Sequence, residues 1–191
     1  MDSWSSTAIV DVVISGLKKL RVLYRARQFW HSLTALPTPE DINNIYQVLS
    51  APLMDLFSAL QPGEQAHGLW IYHKLLEHGE THQDLLAAAL LHDVGKNCYP
   101  LRLWERVIIV LGRRLFLERV KHWSQDNPHG WKRPFTVAER HAAWGAEMAM
   151  CAGATPTTVK FIMRHHDPMK SPLIRQEDRL LHRLQLLDDR S

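Results

Sequence analysis

The sequence predicts an all-α protein. Apolar residues recur at helical spacing in most segments, and proline and glycine separate one such segment from the next. No run of β-branched residues alternates with polar ones over enough positions to predict a strand. At 191 residues the chain is long enough for one domain with a sizeable core, or for one domain with an appendage.

The first third of the chain predicts short helices without a recognisable motif. Residues 7–33 have the spacing of one or two amphipathic helices, whose other side is strongly basic and is expected to be solvated. A helix is predicted from Glu40 to about Leu49, with Thr38 or Thr34 as its cap, and another carries the chain to residue 60. We interpret residues 1–61 as an N-terminal helical extension, for which a homodimer contact and a lid are the candidate roles.

Residues 62–191 are predicted to form the main domain. Thr136 and Glu139 have the spacing of a capping box, so Thr136 is expected to begin its helix. The predicted helices cover 63–77, a segment from 83 onward, 101 to about 123, 136–151, 155 to 165 or 166, and 176–187.

A buried helix that ends in polar residues is the centre of the prediction. Residues 85–91 are all leucine or alanine, which predicts burial on nearly every side, and His92, Asp93 and Lys96 follow at once. Burying these groups together costs several kcal/mol unless something pairs them. A divalent metal ion would do so, with ligands from His92 and Asp93. Gly95 is expected to mark the helix terminus.

Further polar ligands occur near the ends of other apolar helices. The chain contains 12 histidines, an excess that invites a search for a cluster of metal ligands. Each candidate alone is more often an ordinary core residue, but successive helices each offer one, and helical bundles build metal sites from facing helices. These candidates are His67, His141, His165, His166 and Asp188.

The order and spacing of these residues resemble a known family. Together with the segment Leu90–Lys96, they are similar to the HD superfamily of metal-dependent phosphohydrolases over about residues 62–189. The resemblance implies an HD-domain helical bundle at 62–191. It implies that one metal is held by His67, His92, Asp93 and Asp188, and a second by Asp93, His141 and either His165 or His166.

Two departures from the family pattern change which phosphate contacts and which branch of the family are expected. Ala66 stands where the family often has arginine before its first histidine, so one phosphate contact is expected to be missing. Asp167, Pro168 and Met169 follow the histidine pair in place of the Gly-Tyr-Pro run of the cyclic-di-GMP phosphodiesterases, which disfavours that branch.

The resemblance implies hydrolysis of a phosphate ester or anhydride of a nucleotide-like small molecule by a metal-activated hydroxide. Asp93 and Lys96 are the implied catalytic residues. One or two divalent ions are expected, with Fe or Mn favoured over Mg, Ni, Co and Zn. Cations near the motif in sequence are candidates for binding the substrate phosphate: Lys96, Arg133, Arg140 and Arg164.

Two other functions stay open at this point. The same ligands on the same fold resemble mixed-valent di-iron oxygenases, and only Lys96 and the nearby arginines favour phosphate chemistry over that class. The second alternative is a non-catalytic HD signalling or scaffold module. Degenerate copies of that kind typically lose ligands, whereas this chain retains all of them.

Composition excludes several other classes. The net charge of +3 gives no indication of a nucleic-acid partner, and the two cysteines lack the paired spacing of a thiolate zinc finger. No apolar run approaches the roughly 18 residues of a membrane-spanning helix, so no membrane association is expected. We therefore expect a cytoplasmic protein.

Overall fold

The structure, a computed structural model, describes residues 37–116, 123, 128–168, 173 and 175–190. Eight α-helices and two short 3₁₀ segments make up its secondary structure, and these ranges contain no strand, which confirms the all-α prediction. The helices predicted within 7–33 lie outside the described residues. The α-helices are α1 Pro39–Tyr46, α2 Ala51–Ser58, α3 Pro62–Glu77, α4 Gln83–Leu91, α5 Leu103–Leu115, α6 Arg133–Cys151, α7 Pro156–Arg164 and α8 Gln176–Asp188.

Helix α1 begins where a capping signal predicts it. The Thr38 hydroxyl accepts a hydrogen bond from the Asp41 backbone N–H at 3.1 Å, and the Asp41 carboxylate accepts one from the Thr38 N–H at 2.8 Å. Ile45, Leu49 and Phe57 are fully buried in the same cluster as the apolar residues of α3 and α4. The described part of the N-terminal extension therefore shares the core of the main domain.

Helix α4 is the centre of the bundle. Every residue from Leu85 to Leu91 is buried, as its composition predicts, and the helix packs against α2, α3, α7 and α8. Gly68 of α3 faces it closely, since a Cβ there would lie 3.2 Å from the carbonyl oxygens of Ala89 and Leu90. This approach of two backbones brings the start of α3 against the end of α4.

Three predicted helix boundaries are wrong, and the first of these is the end of α1, which lies at Tyr46 and not near Leu49. Helix α6 begins at Arg133, with Pro134 in its first turn, and Thr136 lies inside the helix, where its hydroxyl donates to the Lys132 carbonyl at 3.5 Å. A local capping pattern was thus overridden by a proline start one turn earlier. Helix α5 ends at Leu115 and not near Trp123, because Phe116 leaves the helical conformation.

A buried carboxylate joins the loop after α3 to α8. Glu80 accepts hydrogen bonds from the backbone N–H groups of Thr81 and His82, at 3.0 and 3.1 Å, and from Arg183 at 2.5 Å. Burial raises its pKa, but these hydrogen bonds outweigh burial and hold the pKa below its ordinary value.

Replacement of Glu80 by glutamine is expected to lower the free energy of unfolding by about 1 kcal/mol at neutral pH. Because the pKa is depressed on folding, the stabilisation is complete above the ordinary value of 4.5 and is lost as the pH falls through the folded value. Urea titrations at about pH 7 and about pH 4 measure this. The variant should lose less stability in acid than the parent protein, and an equal loss in both would contradict the prediction.

Within the described ranges, none of the helices combines the length and the apolar character that crossing a membrane requires.

Candidate metal centre

The ends of several helices bring the predicted ligands to one place. His67 lies near the start of α3, and His92 and Asp93 directly follow α4. His141 is buried in the middle of α6. His165 and His166 follow α7, and Asp188 is the last residue of α8. Their side chains form two groups able to hold a metal ion, arranged around Asp93.

The first cluster consists of His67, His92 and Asp188. The Nε2 atom of His67 lies 2.9 Å from Oδ1 of Asp188 and 3.1 Å from Nε2 of His92. Nε2 of His92 lies 3.6 Å from the same carboxylate oxygen. Three donor atoms from three helices thus converge on one point.

The second cluster consists of His141, His165 and His166. Nε2 of His141 lies 3.2 Å from Nε2 of His165 and equally 3.2 Å from Nε2 of His166. His165 is buried whereas His166 is exposed. The structure therefore brings both members of the histidine pair to His141, in different environments.

Asp93 lies between the clusters. Its Oδ1 atom is 3.3 Å from Nε2 of His141, and its Oδ2 atom is 3.6 Å from Nε2 of His92. Lys96 donates to Oδ2 at 2.5 Å. One carboxylate thus presents one oxygen to each cluster, as a ligand that bridges two ions would.

The backbone fixes the orientation of three of the imidazole rings. The Nδ1 atoms of His92, His141 and His165 donate to the carbonyl oxygens of Ala89, Val137 and Ile162 at 3.0, 3.0 and 2.7 Å. A neutral ring that donates through Nδ1 presents the lone pair of Nε2, and this outer hydrogen bond is typical of histidine ligands to metals.

The spacing of the donor atoms fits a bound cation. Lone pairs that face one another repel, so nitrogens 3.1–3.2 Å apart need a proton or a cation between them. Two ligand atoms that each lie about 2.1 Å from one cation are about 3.0 to 3.4 Å apart in octahedral or tetrahedral geometry. The His/Asp clusters could therefore hold metal ions.

Burial and neighbouring charges set the protonation states of the candidate ligands. Burial raises the pKa of Asp93, but Lys96, His92 and His141 outweigh it and hold the pKa well below its ordinary value. Burial and the neighbouring imidazoles lower the pKa of His165, so this ring is neutral. Burial lowers the pKa of His92, but Asp93 and Asp188 outweigh it and raise the pKa to about 9. A cation that binds His92 must therefore displace a proton.

Gly95 allows the segment after Asp93 to lie against α6. A Cβ atom on Gly95 would overlap the His141 carbonyl oxygen and lie 2.6 Å from the Gly145 nitrogen. Gly95 has no positive φ, and α4 ends at Leu91. The expectation that Gly95 marks the helix terminus is therefore wrong, and its role is to let two backbones meet where Asp93 faces His141.

A cavity of about 220 Å³ adjoins the second cluster. Lys96, His141 and His166 supply its polar wall beside the ligands. The remaining lining residues are Glu64, Leu101, Arg106, Ile109, Val110 and Ala138. The cavity thus combines apolar residues, two candidate metal ligands beside Lys96, and the paired side chains of Glu64 and Arg106.

The arginines predicted to bind substrate are not among the residues that line this cavity. Arg133 pairs with Glu105 and donates to the Pro100 carbonyl at 2.8 Å. Arg164 pairs with Asp167 and Asp178 at 3.1 and 3.3 Å. Arg140 is exposed on α6.

Sequence reasoning missed Arg106 and Glu64, which line the cavity as an ion pair. Glu64 precedes His67 by three positions, which places the two on one helical face and was the available signal. The surroundings of Arg106 in the sequence are those of any amphipathic helix and gave no signal.

A scan against protein-family models finds no match, and neither the search of curated proteins nor that of solved structures finds one. The resemblance to the HD superfamily consequently rests on the order and spacing of the residues in the sequence.

Proposed function

We propose that the protein is a metal-dependent phosphohydrolase of the HD type, which hydrolyses a phosphate ester or anhydride of a nucleotide-like compound. The observation that carries the proposal is the position of Asp93, which presents one oxygen to each His/Asp cluster while Lys96 contacts it. Two clusters that share a carboxylate suit a pair of ions that act on one phosphoryl group.

The residues divide between the two candidate ion positions. His67, His92, Asp188 and Oδ2 of Asp93 would hold one ion, and His141, the histidine pair and Oδ1 of Asp93 the other. Bound ions would supply Lewis acidity, which polarises a phosphoryl oxygen and lowers the pKa of a water molecule. Imidazole and carboxylate ligands suit Fe or Mn.

Lys96 is the candidate for a direct contact with the substrate. Its ammonium is partly exposed, lines the cavity and lies beside the shared carboxylate. An ammonium has three donors, so Nζ can keep its hydrogen bond to Asp93 and donate another to a phosphoryl oxygen. Negative charge that develops on the phosphoryl group would be stabilised there.

The cavity is large enough for the phosphoryl group of such a substrate but not for the whole molecule. Its volume is below the roughly 300–1,000 Å³ of sites that enclose drug-sized ligands. The phosphoryl group would lie beside Lys96, and the apolar wall of Leu101, Ile109 and Ala138 would keep water from its other side.

The experiment that tests the proposal is phosphate release by protein reconstituted with Mn²⁺ or Fe²⁺. The panel contains nucleoside mono-, di- and triphosphates, pyrophosphate and p-nitrophenyl phosphate, assayed both in air and without oxygen. Phosphate release that does not depend on oxygen supports the proposal. Oxygen consumption without phosphate release would reject it in favour of the di-iron oxygenase.

Metal removal is expected to reduce phosphate release to background and to lower the thermal midpoint, because the clustered donors lose the charge that holds them together. Mass spectrometry of the elements should find about two ions per chain, falling toward one in His141→Ala. One ion per chain in both proteins would limit the metal to the His67 cluster.

A further inference from the structure

We propose that Arg106, positioned by Glu64 and Gln61, binds the phosphoryl oxygens of the substrate in the cavity beside the second cluster. The inference rests on the proposed function, since it takes the ligand to be a phosphorylated compound. No motif in the sequence assigns a role to these residues.

One nitrogen of the Arg106 side chain makes all of the hydrogen bonds described for that side chain. Nη2 donates to Oε1 of Gln61 at 2.9 Å and to Oε1 of Glu64 at 2.5 Å. Within the part of the chain that the structure describes, Nε and Nη1 have no hydrogen-bond partner. Three N–H donors of a guanidinium that lines the cavity and is 35% exposed thus stay available to a ligand.

The pairing with Glu64 holds the guanidinium by one edge. Glu64 is 4% exposed, and its Oε2 atom has no hydrogen-bond partner among the described residues. Arginine and a carboxylate commonly form two parallel hydrogen bonds, which would satisfy both oxygens. The single hydrogen bond between Glu64 and Arg106 leaves the other guanidinium nitrogens for a ligand. A largely buried ion pair of this kind also contributes little to the free energy of folding.

The chemistry of the cavity favours a phosphoryl group as the ligand. Lys96 already donates to Asp93, so its charge is partly compensated before a substrate enters. The planar fork of arginine matches two oxygens of one phosphate, whereas an ammonium acts as a point charge. His141, His166, Lys96 and Arg106 line one cavity of about 220 Å³, so a phosphoryl group bound there would have both cations in the cavity wall.

Titration calorimetry of inorganic phosphate into the Mn²⁺-loaded protein tests this role. Arg106→Met is expected to weaken phosphate binding by about tenfold or more while the metal content stays unchanged. Arg106→Lys should recover only part of the affinity, because it restores charge without the fork. Arg183→Met is the matched control, since Arg183 also pairs with a buried glutamate, at 2.5 Å, but lies outside this cavity. It should bind phosphate like the parent protein.

Glu64 is tested as a positioning residue. Glu64→Gln keeps an oxygen acceptor for Nη2 and should retain most of the phosphate affinity, whereas Glu64→Met leaves that nitrogen only Gln61 and should lose it. A purely structural role would instead lower the thermal midpoint of both variants without separating their phosphate affinities.

These results test the role of Arg106 separately from the proposed phosphohydrolase activity. Equal phosphate affinity in Arg106→Met and the parent protein would overturn it even if the protein hydrolyses phosphate esters, as would a parent protein that binds no phosphate. Phosphate binding that depends on Arg106, without hydrolysis of any compound in the panel, would reject the proposed function but support the phosphate-binding role of Arg106. If Arg106→Met fails to fold, the comparison with Arg106→Lys decides.

Discussion

Asp93→Ala is expected to abolish phosphate release and to reduce the metal content of both clusters. Asp93 is the residue whose two oxygens face His92 and His141, so its loss would remove a ligand from each of the two proposed ion positions at once. Loss of ion-based stabilisation worth several kcal/mol corresponds to a rate decrease of about a thousandfold or more. Phosphate release and elemental analysis, measured on the same preparation, check both parts.

The helical fold should survive this substitution. Asp93 is not part of the apolar core cluster, so its removal sacrifices the ionic contacts with Lys96, His92 and His141 but no apolar packing of the core. Far-ultraviolet circular dichroism should stay close to that of the parent protein. Asp55→Ala, an exposed aspartate on α2, is the control and should keep full activity and metal content. Full activity in a metal-free Asp93→Ala protein would refute the mechanism.

Gly95→Ala is expected to be the most destabilising small substitution near the site. Its Cβ would overlap the His141 carbonyl and lie 2.6 Å from the Gly145 nitrogen, and neither backbone atom can move aside as a flexible side chain would. Overpacking typically costs 1–3 kcal/mol, and a backbone clash should cost about 3 kcal/mol or more. Urea unfolding measures the loss, and phosphate release should fall with it because Asp93 moves away from His141.

Gly153→Ala is the matched control for this prediction. Gly153 has a φ of +85°, and no described atom lies within 4 Å of the position that a Cβ would take, so alanine there meets strain without a clash. It should cost about 1–2 kcal/mol and leave phosphate release unchanged. Equal losses in the two variants would show that the contact between the Gly95 segment and α6 is not tight.

The helices and the candidate ligands could be predicted from the sequence for a physical reason. A histidine or aspartate beside a fully apolar helix, such as His92 after residues 85–91, is costly to bury alone, and this conflict is visible without coordinates. The structure brings six of the seven candidate ligands into two clusters and places the seventh, Asp93, between them. Which of His165 and His166 is a ligand could not be predicted, because adjacent residues have the same composition around them.

The missed features depend on contacts between distant segments. The role of Gly95 follows from where α6 lies, and the role of Arg106 from its reach to Gln61 and Glu64, far away in the chain. Local patterns cannot encode such meetings. The prediction of where α6 begins was wrong for a related reason. Two local signals, Pro134 and Thr136, indicated different starts, and the helix begins at the proline signal.

The contact between His67 and Asp188 joins positions 121 residues apart in the chain. An ion held by both would act as a cross-link that closes a loop covering most of the main domain. Closing so long a loop restricts the unfolded chain strongly, by about as much as a disulfide of the same span. Supply of the metal would then govern how long the folded protein persists as well as whether it reacts.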